Sequence, residues 1–322
     1  MRVGIIGAGI AGLACAAGLA RRGHDVVLFD KGRGPGGRMS TRRFQTSQGE
    51  ASFDHGAQYF TARDEHFRSQ VSDWVAAGVA APWPAAGDGA YVGVPAMNSP
   101  IREMSGQHVV HWSTLVTRMD RREDGWRLSL VGGEVSDVDM TVVAVPAEQA
   151  AALLADSAPD LAATAGAAIS EPCWTVMVAF RQTVPVALDC WRGDDSAAGP
   201  AEEMVGWAAR NSSKPGRTGP ESWVVQSAPG WSRRHVDAEP DVVTADLVAG
   251  LSAVLDVGLP QSIGTSAHRW RFARCADDGP GVVLDTDRRL GLCGDWLIGP
   301  RVESAWISGA RLADRIGAGL QS

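Results

Sequence analysis

Residues 3–12 read Val-Gly-Ile-Ile-Gly-Ala-Gly-Ile-Ala-Gly, which sets Gly7, Gly9 and Gly12 as G-x-G-x-x-G between a short apolar run and a small-residue stretch reaching about Arg22. A second apolar run, Val26 to Phe29, ends at Asp30, 18 residues after Gly12. The pattern predicts a strand, a tight turn, a helix and a second parallel strand. Gly7 permits the turn, Gly9 lets a diphosphate approach the backbone, and Gly12 lets helix pack closely on strand. The helix N-terminus offers unpaired N–H groups to an anion, and the Asp30 carboxylate suits a ribose diol. In this strand-turn-helix context the motif points to a dinucleotide, without choosing which.

Elsewhere the periodicity is mixed. Phe67, Val71, Trp74 and Val75 fall at helical spacing. Pro82 to Pro100 is rich in Pro and Gly and reads as a crossing between domains. Strand-like runs follow at 108–116, 126–130 and 140–145. From about Ala151 to Arg274 six of the twelve tryptophans occur, with strand-like runs at 175–180 and 223–226 and one helical stretch, 242–255. The chain then returns to strand Leu290–Cys293, turn 294–300 and a helix from Val302. The expected fold is α/β: a Rossmann-like domain of residues 1–64, 100–150 and 276–322, interleaved with a β-rich α+β domain of residues 65–99 and 151–275.

Several classes are disfavoured. A net charge of -7 argues against nucleic acid, whose binding needs a basic face. The apolar stretch Val3 to Ala20 resembles a signal peptide in outline, but its glycines fall at fixed places that a signal peptide would not require, and no other run approaches a membrane span. Five widely spaced cysteines with no C-x-x-C pair indicate neither a disulfide framework nor a metal site, so a reducing cytoplasm is the expected setting. Against that acidic background, Lys31, Arg33, Arg38, Arg42 and Arg43 lie within 13 residues without one acid, beside Gly32, Gly34, Gly36 and Gly37. Such a segment can lie along a diphosphate. Near the C-terminus, Gly294-Asp295 follows a strand and precedes a helix start at Val302-Glu303, placing a carboxylate near a ribityl or ribose hydroxyl and a helix dipole near developing negative charge.

Together with Asp30-Lys31, Gly36-Gly37-Arg38-Met39, Asp54-His55-Gly56-Ala57-Gln58-Tyr59-Phe60-Thr61, Asn211-Ser212-Ser213-Lys214-Pro215-Gly216-Arg217, Ala267-His268-Arg269-Trp270 and Gly294-Asp295-Trp296, the chain resembles the bacterial renalases over nearly its whole length. These are FAD-containing relatives of the amine oxidases. The resemblance implies non-covalent FAD, a β-sheet roof over the isoalloxazine, and oxidation of 2- or 6-dihydro isomers of NAD(P)H to NAD(P)+, with dioxygen reoxidising the flavin and itself being reduced to hydrogen peroxide. The expected cofactor contacts are Gly7, Gly9, Ala11, Gly12, Asp30, Lys31, Arg38, Met39, Gly56, Ala57, Gln58, Val109, Asp295, Val302 and Glu303. Expected substrate contacts are Gln58, Tyr59, Phe60, Thr61, Asn211, Lys214, His268 and Arg301. No acid or base is assigned, because a dihydronicotinamide is already a hydride donor and needs positioning above all. Asp30 stands where the wider superfamily commonly has glutamate, and Ser304 where relatives often have glycine. Three rivals compete: an FAD-dependent amine oxidase, a flavin-binding protein without turnover, and an NAD-dependent dehydrogenase. The first would need an aromatic cage from a chain with two tyrosines and two lysines, and the last leaves Gly294-Asp295 unexplained.

Overall fold

The computed structural model describes residues 1–193, 199–275 and 279–319. A six-stranded sheet runs in the order Val283–Asp285, Leu290–Leu292, Met140–Val143, Arg2–Ile6, Asp25–Phe29, Val109–His111, parallel throughout except for its first strand. Parallel strands need cover on both faces, and the side-chain alternation divides them accordingly. Val3, Ile5, Leu28 and Val142 pack with Leu13 and Leu312 of the first helix (Ile10–Arg21) and the last (Val302–Gly319). Ile6, Val27, Phe29 and Val143 pack on the other face, against Met119, Trp126 and Leu128 of a three-stranded sheet and Leu154 and Leu161 of two short helices. The first and last helices touch almost backbone to backbone: a Cβ on Gly309 would lie 2.0 Å from the Ala11 carbonyl oxygen.

The second layer is a five-stranded antiparallel sheet in the order Cys190–Arg192, Val205–Arg210, Glu221–Ser227, Ser170–Phe180, Ser262–Cys275. One face (Val176, Val178, Phe180, Val205, Trp223, Val225) packs on Val243, Leu247 and Leu251 of the helix Pro240–Leu255. The opposite face is shared. Met177, Ala179 and Val224 meet Ala51 and Phe53 of a hairpin, Thr41–Thr46 with Gly49–Asp54, while Cys173, Trp207, Gln226 and Trp270 look into a cavity.

The α/β architecture matches expectation, and two local readings differ. Arg42 and Arg43 lie on the hairpin strand Thr41–Thr46 rather than in a phosphate-binding loop, because Phe44 and Phe53 stack across it at 4.7 Å and hold it against the second sheet. The stretch 82–100 is not a bare crossing: Ala90–Gly93 pairs with Phe60–Thr61 and Ala80–Pro82, and Trp83, Val92 and Met97 share a core with Val3 and Ile5. We therefore propose a division by packing, in which 65–99 goes with the Rossmann-like unit and the 41–54 hairpin with the antiparallel sheet. All five cysteines are free thiols, and no helix among the described residues is long and apolar enough to cross a membrane.

Candidate active site

Between the two sheets lies a cavity of about 930 Å³, at the upper end of the range for ligand pockets. Its floor begins at the first turn. Gly7 has φ +105°, a conformation that favours glycine, and a Cβ at Gly12 would lie 2.0 Å from the Gly7 carbonyl oxygen. At Gly9, by contrast, a Cβ would meet nothing within 4 Å, since that face opens on the cavity. No side chain caps the helix that follows, so its first-turn amides and dipole face the space where an anion would lie. An open approach at Gly9 beside an uncapped helix fits a dinucleotide diphosphate.

Arg38 and Asp295 form the next part of the floor. Arg38 Nη1 donates to Asp295 Oδ2 at 2.7 Å, and Nη2 donates to Oδ1. This fork ties the turn after the second strand to the one before the last helix, 257 residues apart. Glu303, in the first turn of that helix, accepts from the backbone N–H groups of Arg63 and Asp64 at 2.5 and 2.7 Å. Ala11, Met39, Gly56, Ala57, Arg301 and Val302 also reach the wall.

Five of the expected cofactor residues stand back from it. Gly7 and Gly12 shape the turn from behind. Asp30 accepts from the Ala8 and Gly32 amides at 2.8 and 2.6 Å, which orients its carboxylate next to the turn. Lys31 points outward to Gln149 Oε1 at 3.0 Å. Val109, on the edge strand, is 61% exposed and is not on the cavity wall.

The Asp54–Thr61 string splits between interior and wall. Asp54 is fully buried and its Oδ1 accepts from Thr41 Oγ1 at 2.8 Å and Met97 N at 3.0 Å. Its Oδ2 accepts from Lys214 Nζ at 3.2 Å and from Arg217 Nη2. Burial alone would raise this carboxyl, but Lys214 and Arg217 outweigh it and hold it far below the usual carboxylate range. Burial also lowers the Lys214 ammonium to about 8, against the pull of Asp54. Lys214 donates as well to Gln58 Oε1 at 3.2 Å, while Gln58 Nε2 donates to the carbonyls of Asp54 and Gly56. Gln58 reaches the wall with its amide already engaged. Asn211, completely buried, accepts from Asp54 N and donates to Ser52 O.

The expectation that Asn211 and Lys214 meet substrate is thus not what this placement shows: both lie behind the wall, anchoring Asp54 and Gln58. His268 also lies behind, against Trp270 at 4.5 Å and His55 at 5.0 Å. Burial, then His268 and Arg42, pushes His55 down to about 3, and burial with Arg42 brings His268 to about 4, so both are neutral at pH 7.

Tyr59, Phe60 and Thr61 reach the wall. Phe60 is also core, stacked on Tyr91 at 6.0 Å. Tyr59 meets Trp207 at 5.3 Å, and the Arg192 guanidinium sits 5.1 Å from the Trp207 ring centre and donates to the Tyr59 hydroxyl. Arg192, Trp207 and Gln226 are residues that the sequence reading did not single out. The only available signal was strand alternation, which places Trp207 and Gln226 on one face without saying what covers it. Among the described residues, six arginines and four carboxylates line the cavity.

A family model described as flavin containing amine oxidoreductase matches residues 84–317, and one described as NAD(P)-binding Rossmann-like domain matches residues 5–74. A 56-residue segment is 43% identical to 4,4'-diapophytoene desaturase (4,4'-diaponeurosporene-forming) of Staphylococcus aureus, and covers 17% of this chain but only 10% of that protein. Among solved structures, a putative protoporphyrinogen oxidase from Exiguobacterium sp. 255-15 superposes with a TM-score of 0.71 at 14% identity, covering 99% of each chain. Cyclohexylamine oxidase from Brevibacterium oxydans IH-35A does so with a TM-score of 0.74 at 12% identity, covering 100% of this chain and 99% of that one. At such identities the likeness is one of fold.

Proposed function

The chain belongs to the flavin-containing amine oxidoreductase family, and from that premise we propose that it is a renalase-like oxidase holding FAD non-covalently and converting 2- or 6-dihydro isomers of NAD(P)H to NAD(P)+. When bound, the flavin supplies a hydride acceptor that dioxygen returns to its oxidised form, yielding hydrogen peroxide. The first-turn amides and Gly9 would hold the diphosphate, Asp30 a ribose, and Asp295 with the start of the last helix the flavin end. Arg38 fixes the Asp295 carboxylate, and Glu303 fixes the chain at residues 63–64.

The observation that most supports a dinucleotide substrate is the charge of the wall. Arg63, Arg192, Arg274 and Arg301 reach the cavity with no carboxylate ion pair among the described residues. Such a wall attracts an anionic ligand and repels an alkylammonium. Arg192 further occupies the cation seat over Trp207 and Tyr59, where an amine substrate would otherwise lie. Neither lysine lines the cavity. Trp207 and Trp270 line the roof, and hydride transfer to the flavin itself asks for no proton transfer, the one proton consumed overall entering with the reduction of dioxygen to hydrogen peroxide.

The test is anaerobic mixing of the flavin-loaded protein with 2- or 6-dihydro-NAD(P), with ordinary 4-dihydro-NADH, and with benzylamine or a polyamine. Rapid bleaching by the first pair alone is expected. Faster bleaching by an amine would make it an amine oxidase, and no bleaching by any donor would leave a flavin-binding protein without turnover.

A further inference from the structure

Arg192 ends the edge strand Cys190–Arg192 and is the register partner of Trp207 on the neighbouring strand, so the two side chains leave the antiparallel sheet on one face, side by side. Tyr59 reaches the same place from the 54–61 string, its ring centre 5.3 Å from that of Trp207. The Arg192 guanidinium lies over both rings, 5.1 Å from the Trp207 centre and 5.9 Å from the Tyr59 centre, and donates to the Tyr59 hydroxyl. All three residues line the cavity, and Arg192 itself is exposed. Two aromatic rings that share one cation position form the arrangement that holds alkylammonium ligands, because each ring face carries negative charge density. Here a side chain of the same protein fills it. That occupant is tethered, so its effective concentration at the rings exceeds that of a free cation, and its charge repels a second one.

We infer that Arg192 is a specificity-determining residue: by filling the seat over Tyr59 and Trp207 with the protein's own cation, it closes to alkylammonium ions a site otherwise built to take them. Resting on the dinucleotide reading above, this makes Arg192 the residue that confines the cavity to anionic substrates. The geometry also says what its removal does. Arg192 enters from the rim on an edge strand, so shortening it removes no buried side chain and no ladder bond. The two rings stay in place, because Trp207 is held in the sheet and Tyr59 precedes Phe60, which is core. What is left is a guanidinium-sized opening against two rings, reached from solvent by the path that the exposed side chain now takes. Arg63 reaches the same wall without lying over a ring among the described residues, so it carries the same charge without the seat.

Calorimetric titration of the flavin-loaded protein with choline and with its uncharged carbon isostere, 3,3-dimethylbutan-1-ol, measures this directly. Wild type should show no saturable choline binding. Arg192→Ala should bind choline about tenfold or more above the isostere, the factor that a partly desolvated cation–π contact supplies. Adding Tyr59→Leu to that variant should remove most of the gain. Arg63→Ala, which takes the same charge from the cavity and uncovers no ring, should gain nothing. The Arg192 and Arg63 variants alter exposed side chains, so the comparison between them decides even if the Tyr59 variant loses flavin. Choline binding by wild type, no gain in Arg192→Ala, an equal gain in Arg63→Ala, or a gain undiminished by Tyr59→Leu in a flavin-loaded double variant overturns the inference. The dinucleotide reading is judged separately, by titration of wild type with NAD+. Absent NAD+ binding removes that reading, while a choline gain confined to Arg192→Ala retains the seat. NAD+ binding without that gain removes the seat alone.

Discussion

Removing Asp54 should be far more damaging than removing the lysine that pairs with it, although the two share one contact. Asp54, Lys214 and Arg217 have side chains at most 1% exposed, and together they carry one net positive charge. Asp54→Asn raises that to two, leaves two buried cations without a counter-charge, and turns an amide N–H toward donors; the expected cost is about 3–5 kcal/mol. Lys214→Met makes the remaining pair neutral. Holding Lys214 charged at neutral pH, with its titration lowered to about 8, costs about 3 kcal/mol. That relief offsets the Gln58 carbonyl left unpaired, worth about 1–3 kcal/mol, so the net loss should not exceed about 2 kcal/mol. Urea denaturation followed by circular dichroism at equal flavin saturation measures both. The pH dependence supplies a second signature. Between about 8 and the ordinary lysine value the unfolded chain keeps a proton that the folded chain has released, so stability rises with pH. In Lys214→Met that contribution should vanish. A loss in Lys214→Met equal to that in Asp54→Asn would refute the reasoning.

Other outcomes follow from the same geometry. His55 and His268, lowered to about 3 and 4, are neutral in the folded chain but protonate when unfolded, so stability should fall as pH drops from about 6.5 toward 4. The slope contributed by each is at most about 1.4 kcal/mol per pH unit, and replacing both with Gln should flatten it in a pH series of melting curves. Arg38→Gln leaves the buried Asp295 carboxylate without its fork, and should weaken flavin retention on gel filtration by about tenfold or more. Arg192→Ala should leave flavin content intact while weakening NAD+ binding and its salt dependence; equal loss of flavin would contradict its place on the substrate side. Gly309→Ala brings a methyl group against the Ala11 carbonyl, and should cost at least about 1–3 kcal/mol in thermal melts.

The nucleotide-binding half of the fold was legible because its signals are local. Gly7, Gly9 and Gly12 each answer a steric demand within one turn, and the runs at 3–7 and 26–29 are apolar on both faces because both are covered. The charge cluster was not legible. Asp54 and Lys214 are 160 residues apart, and a polar, glycine-bearing string such as 211–217 looks solvated until the partner carboxylate is found. Much the same holds for Arg42 and Arg43, whose hairpin is set by packing on a distant sheet. Trp207 and Gln226 escaped notice for another reason. Alternation assigns them a face, but one half of that face is filled by Phe53 and the other left open to the cavity, a division made by tertiary contact alone.

The Gly56 carbonyl, finally, accepts from Gln226 of the antiparallel sheet and from Gln58 of its own loop, while the Gly56 backbone is pressed against that of Arg38, whose guanidinium grips Asp295. One peptide unit thus joins ceiling and floor. The amides of 56–58, Gln226 and Asp295 should therefore exchange with deuterium as a single cooperative unit, at a rate set by opening of the whole cavity rather than by local fraying.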